Sequence, residues 1–250
     1  MIRQVKMEFF KMKRRGIGLV LLGVAFCQFM WGQWIMRGMK PGELAQGWMS
    51  LMYTMAQLNC IMMPITMALL ASRVSDIEHK GNTFKLLGTI QDRKSLFYAK
   101  LIYGLIYVAA FSVIQAAVMI GISQKYGFTQ MLPIGYFVYF IVMTAVVDIV
   151  LLLLQLVLSM NIINQTVALA VAIGGSLLGI YSLFFSKSIM RLVLWSYYCL
   201  LTPVRMDWDK ATRITHFTWT SIELVGLGIL VVSVGVLFVL GKNLMRKREC

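Results

Sequence analysis

The sequence predicts an all-α membrane protein with six transmembrane helices and both termini in the cytoplasm. Of its 250 residues, 59% are hydrophobic and only 14% are charged, whereas soluble domains average about 45–50% and about 25%. The chain also contains six long apolar runs, and a helix of roughly 20 such residues crosses a hydrocarbon core about 30 Å thick. Finally, lysine and arginine are concentrated in alternate loops, which sets the orientation of the helices.

The elements follow one another as a single transmembrane domain. An amphipathic segment at 1–16 comes first, a polar segment at 72–100 follows the second span, and a tail at 242–250 ends the chain. The predicted spans are residues 17–36, 48–71, 101–123, 132–160, 166–186 and 224–241. An outer segment at 187–223 separates the last two spans. Its apolar stretch after Arg191 is too short to cross the membrane and ends at a proline, so we predict an interfacial or re-entrant segment.

The basic residues indicate which side of the membrane each loop occupies. Sixteen of the 24 lysines and arginines lie in the two termini and in the segment between the second and third spans. Positively charged loops stay in the cytoplasm, so both termini are predicted inside. Attraction of these residues to anionic headgroups accounts for most of the net charge of +14. We therefore predict membrane lipid, and no nucleic acid, as a partner.

The spans carry no recognisable catalytic constellation. A membrane hydrolase needs a nucleophile with a base, or metal ligands, within its helices, but His79 and His216 are the only histidines and lie outside the spans. The four cysteines have no C-x-x-C spacing, which favours neither a metal site nor a disulfide framework. A glycine and lysine run from Gly235 differs in spacing from a phosphate-binding loop. We predict that the chain is not an enzyme and itself binds no cofactor.

Asp148 is the one carboxylate deep in a predicted span. Charged groups at that depth are costly and often mark a substrate or ion pathway, so Asp148 is a pathway candidate. The alternative is a structural hydrogen bond to another helix or subunit, for instance through Gln115 or Gln155.

Two other spans carry weaker signals. Asn59, with Pro64 one turn further on, predicts a polar kink in the second span, and Asn59 is a second pathway candidate. Gly175 and Gly179 form a G-x-x-x-G face that permits close contact with another helix.

The polar segment after the second span contains an amphipathic pattern. In a helix from Val74 to Leu87, the apolar residues cluster within about 140° of arc. The remaining face mixes acids, an amide, an imidazole and bases, unlike the lysine-rich face of a lipid-binding helix. This pattern predicts a cytoplasmic surface helix suited to protein docking, and the alternative is a helix that only floats between lipid and water.

Two stretches of the chain resemble one transporter family. "EHKGNTFKLL", from Glu78, followed by "DRKSLFYAK", from Asp92, resembles the first cytoplasmic segment of type-2 ABC exporter permeases. The resemblance is strongest to the small six-helix permeases of lantibiotic immunity transporters. "MEFFKMKRR", from Met7, is similar to the amphipathic start of the same family, although the chain lacks the proline that often precedes the family's arginine, here Arg93.

The resemblance implies that residues 74–87 include a coupling helix, which docks on a separate ABC ATP-binding subunit holding ATP and Mg. The positions it implies for docking or bracing are Glu78, His79, Lys80, Asn82, Thr83 and Lys85. It also implies a multi-pass protein of the bacterial plasma membrane that expels an antimicrobial peptide. A second permease chain, identical or different, is expected because six helices form only half of a pathway.

The outer segment bears on the substrate. Trp195, Tyr197 and Tyr198 are candidates for substrate contact, although aromatic residues at this level also anchor any membrane protein. Residues 187–220 carry five basic and two acidic residues, so simple electrostatics would not attract a cationic peptide. Capture would then depend on apolar and aromatic surface or on the second permease. The remaining alternatives are an exporter of another drug, ion or polymer with the same fold, and a non-transport membrane enzyme or scaffold.

Overall fold

A computed structural model of the protein describes residues 2–13, 15–39, 41–80, 93–208 and 215–247. The described chain is mostly helical, and six of its helices are long and apolar enough to cross a membrane. The predicted all-α membrane fold with six spans is therefore confirmed.

The helices, in chain order, are α1 (Ile2–Met12), α2 (Ile17–Arg37), α3 (Gly47–Lys80), α4 (Arg93–Tyr126), α5 (Ile134–Asn161), α6 (Gln165–Tyr181), α7 (Lys187–Met190), α8 (Tyr197–Leu200) and α9 (Leu224–Lys247). Short 3-10 turns cover Pro41–Gln46, Ser182–Phe184 and Leu194–Ser196, and the two strands are β1 (Val204–Trp208) and β2 (Thr215–Trp219). The six spans are α2, α3, α4, α5, α6 and α9. Because α3 and α4 have 34 residues each, each is about 50 Å long and extends beyond the hydrocarbon core.

Helix α3 lies at the centre of the bundle. It contacts α2, α4, α5, α6 and α8. In its most apolar 18-residue stretch 72% of the residues are buried, against 17% in the corresponding stretch of α9. Its buried face is rich in methionine, including Met52, Met55, Met63 and Met67, whose flexible side chains fill irregular gaps. Helix α3 is therefore the most buried span of the bundle.

The basic segments meet at one end of the bundle. Helix α1 packs against α4 and the end of α3, and Gly241 near the end of α9 lies against Phe97 at the start of α4. Since all these segments are lysine- and arginine-rich, this end is the one that the positive-inside rule assigns to the cytoplasm.

The opposite end carries a hairpin that we did not predict. Strands β1 and β2 pair antiparallel, with Val204 opposite Trp219. Trp219 stacks on Tyr136 at the start of α5, with ring centroids 4.1 Å apart, and the backbone N–H of Phe217 donates to Gln46 Oε1 at 3.0 Å. The outer segment thus adds a small two-stranded sheet to the all-α fold. Its alternating aromatic and β-branched residues are a strand signal, but each strand has only five residues.

Candidate functional site

The predicted coupling segment is only partly described. Glu78, His79 and Lys80 lie in the last turn of α3, but their side chains are outside the description, and Asn82, Thr83 and Lys85 lie outside the described residues altogether. Helix α3 continues without interruption through residues 74–80. These residues, predicted to open a separate surface helix, therefore extend the second membrane helix instead.

A buried ion pair binds α1 to both helix ends that flank the segment 81–92. The Lys100 ammonium lies 3.3 Å from the Glu8 carboxylate and donates to the backbone carbonyl of Val74 at 2.7 Å. Glu8 also accepts from Lys11 at 3.0 Å. Because Glu8 and Lys100 are only 1% and 0% exposed, these contacts compensate charges that would be costly to bury alone. The pair connects α1, α3 and α4 at a single point.

A second set of contacts reinforces this connection. Arg15, just beyond α1, lies 3.2 Å from the carboxylate of Asp76 on α3. The Arg73 guanidinium donates to the backbone carbonyl of Arg15. We call Glu8, Arg15, Arg73, Asp76 and Lys100 the cytoplasmic junction. The junction therefore joins the last turns of α3 to the first turns of α4.

The sequence pointed to two members of this junction without pairing them. Glu8 is the acid of the stretch "MEFFKMKRR", and Lys100 is the last residue of "DRKSLFYAK". They are 92 positions apart in the chain, and no local pattern indicates that they form an ion pair. The proximity is a result of how α1 folds back onto α4.

Asn59 is at the centre of a buried amide cluster. Its side-chain oxygen accepts from Gln28 at 2.7 Å and from Gln115 at 2.8 Å, and Gln115 also donates to Gln28 at 3.2 Å. All three side chains are fully buried, and the three hydrogen bonds connect α2, α3 and α4 within the apolar bundle, although Asn59 Nδ2 and Gln115 Oε1 find no partner among the described residues. The cluster gives Asn59 a role in holding three spans together.

Asp148 makes its hydrogen bond to Tyr198, not to the amides that we considered. The Tyr198 hydroxyl donates to the Asp148 carboxylate at 2.5 Å, and both residues are buried. Gln115 belongs to the amide cluster around Asn59, and the Gln155 amide has no hydrogen-bond partner within the described chain. Asp148 lies midway along α5, so its partner reaches the middle of the bundle from the outer segment.

The stretch 190–200 is therefore re-entrant, one of the two possibilities that its length predicted. It packs against α3, α5 and α6. Trp195 covers Gly175 and Gly179, and a Cβ atom at Gly175 would lie 2.1 Å from the indole ring. The G-x-x-x-G face thus receives the tryptophan, and Gly179 also lies against Cys60 of α3. The Cys60 thiol of α3 fixes this arrangement by donating to the Trp195 carbonyl at 3.2 Å.

The outer aromatic candidates differ in what they can contact. Tyr197 and Tyr198 are buried, and Trp195 is partly buried in the seat on α6. The Tyr197 hydroxyl donates to the backbone carbonyl of Arg191 at 2.8 Å, which holds the re-entrant stretch in its fold. In this conformation the three aromatic residues position the re-entrant stretch and present little surface to the outer leaflet.

Within the described ranges, no group of three or more histidine, cysteine, aspartate or glutamate side chains is placed to hold a metal ion. The polar sites there are structural connections between helices: the junction at the cytoplasmic end, the amide cluster among α2, α3 and α4, and the Asp148–Tyr198 bond. All of them involve α3 or elements packed on it. Such an arrangement supports the movement of connected helices.

Replacing Asp148 separates a pathway role from a structural one. Asp148→Asn keeps an oxygen that accepts from Tyr198, whereas Asp148→Ala leaves the buried hydroxyl without its partner, which costs about 1–3 kcal/mol. We expect Asp148→Ala to unfold at lower temperature and to lose transport. Asp148→Asn should keep the thermal stability and the transport of the wild-type chain. Asp207→Ala, at an exposed position of β1, is the control. Normal transport by both Asp148 variants would show that this carboxylate has no functional role.

Comparison with known proteins adds one match. The family model described as ABC-2 family transporter protein matches residues 4–182. The matched region runs from α1 to the end of α6 and contains the junction, Asn59 and Asp148, while the re-entrant stretch lies beyond it. No curated protein matches the chain.

Proposed function

The chain belongs to the ABC-2 family of transporter proteins, and from this premise we propose that it is the permease that expels a lantibiotic-type antimicrobial peptide from the cell membrane. Family membership makes it a membrane subunit of an ABC transporter and implies an ABC ATP-binding subunit as its partner. To this the proposal adds the peptide substrate, a second permease chain, ATP and Mg on the partner, and a bacterial plasma membrane.

The polar segment between α3 and α4 carries the proposal. Its sequence resembles the coupling segment of lantibiotic immunity permeases, and both of its flanking helix ends are bound to α1 through the buried Glu8–Lys100 pair. A partner subunit that docks on this segment would act on helix ends that are braced to α1.

Coupling has a physical route through α3. An ATP-binding subunit shifts the permease between states only through contacts that differ between them. Helix α3 joins Asp76 of the junction to Cys60, which contacts the re-entrant stretch, and these residues are about 24 Å apart along the helix. In the proposed cycle, movement at the cytoplasmic end of α3 displaces the re-entrant stretch at the middle of the bundle.

An apolar groove on the outer half suits the peptide. It has a volume of about 660 Å³ and lies between α9 and residues 191–197. Arg191 beside it is already ion-paired with Glu223, whose carboxylate accepts from Arg191 Nε at 3.0 Å. The basic residues of the outer segment do not attract a cationic peptide. In the proposed mechanism, the apolar side of the peptide therefore enters this groove from the membrane.

Charge reversal in the coupling segment tests the link to the ATP-binding subunit. We expect Glu78→Lys combined with Lys85→Glu to abolish association with that subunit and transport, while membrane insertion is unchanged, because docking by a mixed polar face depends on complementary charge. The matched control is Arg205→Glu with Asp207→Lys on the exposed hairpin. Unchanged association and transport in the first variant would contradict the assignment of this segment.

Two measurements test the function as a whole. Purification of the tagged chain from native membranes is expected to recover an ABC ATP-binding subunit. Deletion is expected to make cells several-fold more sensitive to lantibiotics, with sensitivity to unrelated drugs unchanged, because the peptide is no longer removed. Recovery of the subunit with unchanged lantibiotic sensitivity would contradict the substrate and leave an exporter of another drug, ion or polymer.

A further inference from the structure

A cleft of about 790 Å³ lies between α1 and α2 at the predicted cytoplasmic end of the bundle. Phe9 and Lys13 line it from the α1 side, Gly18 and Leu22 from α2, and Tyr103 from α4. It lies apart from the re-entrant stretch and from the outer groove. Neither the coupling proposal nor the substrate proposal uses it.

The cleft is a built feature of the fold. Between α1 and α2 the chain turns at Gly16, whose φ of 62° lies in the left-handed region that glycine adopts without strain. This turn sets α1 at an angle to α2, and the Glu8–Lys100 pair holds α1 against α4. The walls of the cleft are therefore fixed on both sides of the turn.

The walls are apolar and aromatic. The ring of Phe9 meets the ring of Tyr103 edge to face, with ring centroids 4.7 Å apart. The ring centroids of Tyr103 and Tyr107 are 4.9 Å apart. On the α2 side, Leu19 and Leu22 are 75% and 57% exposed. Because α2 is a membrane span, this surface lies at the level of the lipid hydrocarbon, where an acyl chain can run along it.

The charge at the rim is positive. Lys13 lines the cleft and has no acidic partner among the described residues. The only acid of the first 16 residues is Glu8, and Lys100 and Lys11 already compensate it. Basic pockets between membrane helices on the cytoplasmic side attract anionic headgroups. A ligand of this cleft therefore combines an apolar chain with a negative head.

We propose that the cleft binds an anionic phospholipid of the cytoplasmic leaflet, with its headgroup at Lys13 and one acyl chain along α2 past Gly18 and Leu22. The bound lipid contacts α1, which carries Glu8 of the junction, so membrane composition acts on the same helix that braces the coupling segment. The site itself is independent of the transported substrate.

The need for a negative headgroup is tested with the whole chain in phosphatidylcholine nanodiscs that contain increasing fractions of phosphatidylglycerol. Native mass spectrometry counts the lipids that the chain retains. The wild-type chain should retain phosphatidylglycerol in preference to phosphatidylcholine. Lys13→Gln should weaken that preference about fivefold, the contribution of one lysine near an anionic surface. Lys242→Gln removes the same charge on α9, away from the cleft, and should change it less than twofold. Equal losses in the two variants would overturn the proposal.

Two glycines of α2 test whether the lipid needs the space inside the cleft. Gly18 lines the cleft and Gly23 does not, and an added Cβ meets nothing within 4 Å at either position. Gly18→Leu should fill the cleft and lower phosphatidylglycerol retention about fivefold or more, whereas Gly23→Leu should leave it unchanged. Equal retention by these two variants would place the lipid elsewhere. Displacement of the lipid by inorganic phosphate would likewise overturn the proposal in favour of a soluble anion.

Discussion

Replacing Lys100 with methionine is expected to lower the free energy of unfolding by about 1–3 kcal/mol, the cost of leaving a buried acceptor without its donor, while Glu8 keeps Lys11 as its remaining partner. The Glu8 carboxylate, 1% exposed, would lose the ammonium 3.3 Å away, and the Val74 carbonyl would lose its donor. Thermal unfolding in detergent, followed by tryptophan fluorescence, measures the effect. Transport should fall with it, because α1 would no longer hold the ends of α3 and α4 together.

A neutral double variant distinguishes loss of the pair from loss of packing. Glu8→Gln combined with Lys100→Met removes both charges, and neutral replacements of a buried pair are often tolerated, so most of the lost stability should return. Lys242→Met is the matched control, since Lys242 is an exposed lysine of α9. A midpoint for Lys100→Met equal to that of Lys242→Met, or a double variant no more stable than Lys100→Met, would contradict a compensating buried pair.

Replacing Gly175 with leucine is expected to displace the re-entrant stretch. A Cβ at this position would lie 2.1 Å from the Trp195 ring, so the indole must leave its seat. Overpacking of this kind costs about 1–3 kcal/mol and occasionally more, and the movement also strains the Cys60 contact to the Trp195 carbonyl. We expect a lower unfolding midpoint, a changed tryptophan emission spectrum and loss of transport.

The neighbouring glycine provides the control for this experiment. Gly174 is exposed on the outer face of α6, where an added Cβ meets nothing within 4 Å. Gly174→Leu should therefore unfold like the wild-type chain and keep its emission spectrum. Wild-type transport by Gly175→Leu would mean that the seat of Trp195 has no part in the transport cycle.

Several features of the site were readable in the sequence as residues but not as contacts. Asp148 and Asn59 stood out because polar groups are rare within apolar spans, and both are buried in the bundle. For the structural alternative we named Gln115 and Gln155 as examples of a partner for Asp148, whereas its partner is Tyr198, 50 positions further along the chain. A hydrogen bond between distant residues depends on how the re-entrant stretch packs, and no periodicity within one segment contains that information.

Residues 74–80 show how helix limits depend on packing. Their amphipathic pattern favoured a separate surface helix, but α3 continues through them, since Val74 stays buried and its carbonyl accepts from Lys100. The hairpin was missed for a related reason: its strands are stabilised by pairing with each other and by the contact of Trp219 with Tyr136.

By itself, the sequence determined that this protein crosses a membrane six times and placed its basic ends on one side, because chain length, hydropathy and charge act on each segment separately. Only the tertiary structure decided that Glu8 neutralises Lys100, that Asn59 joins three helices, and that a re-entrant tryptophan occupies the glycine face of α6. Those pairings arise between distant segments, where the cost of burying a charge or a polar group without a partner favours one arrangement.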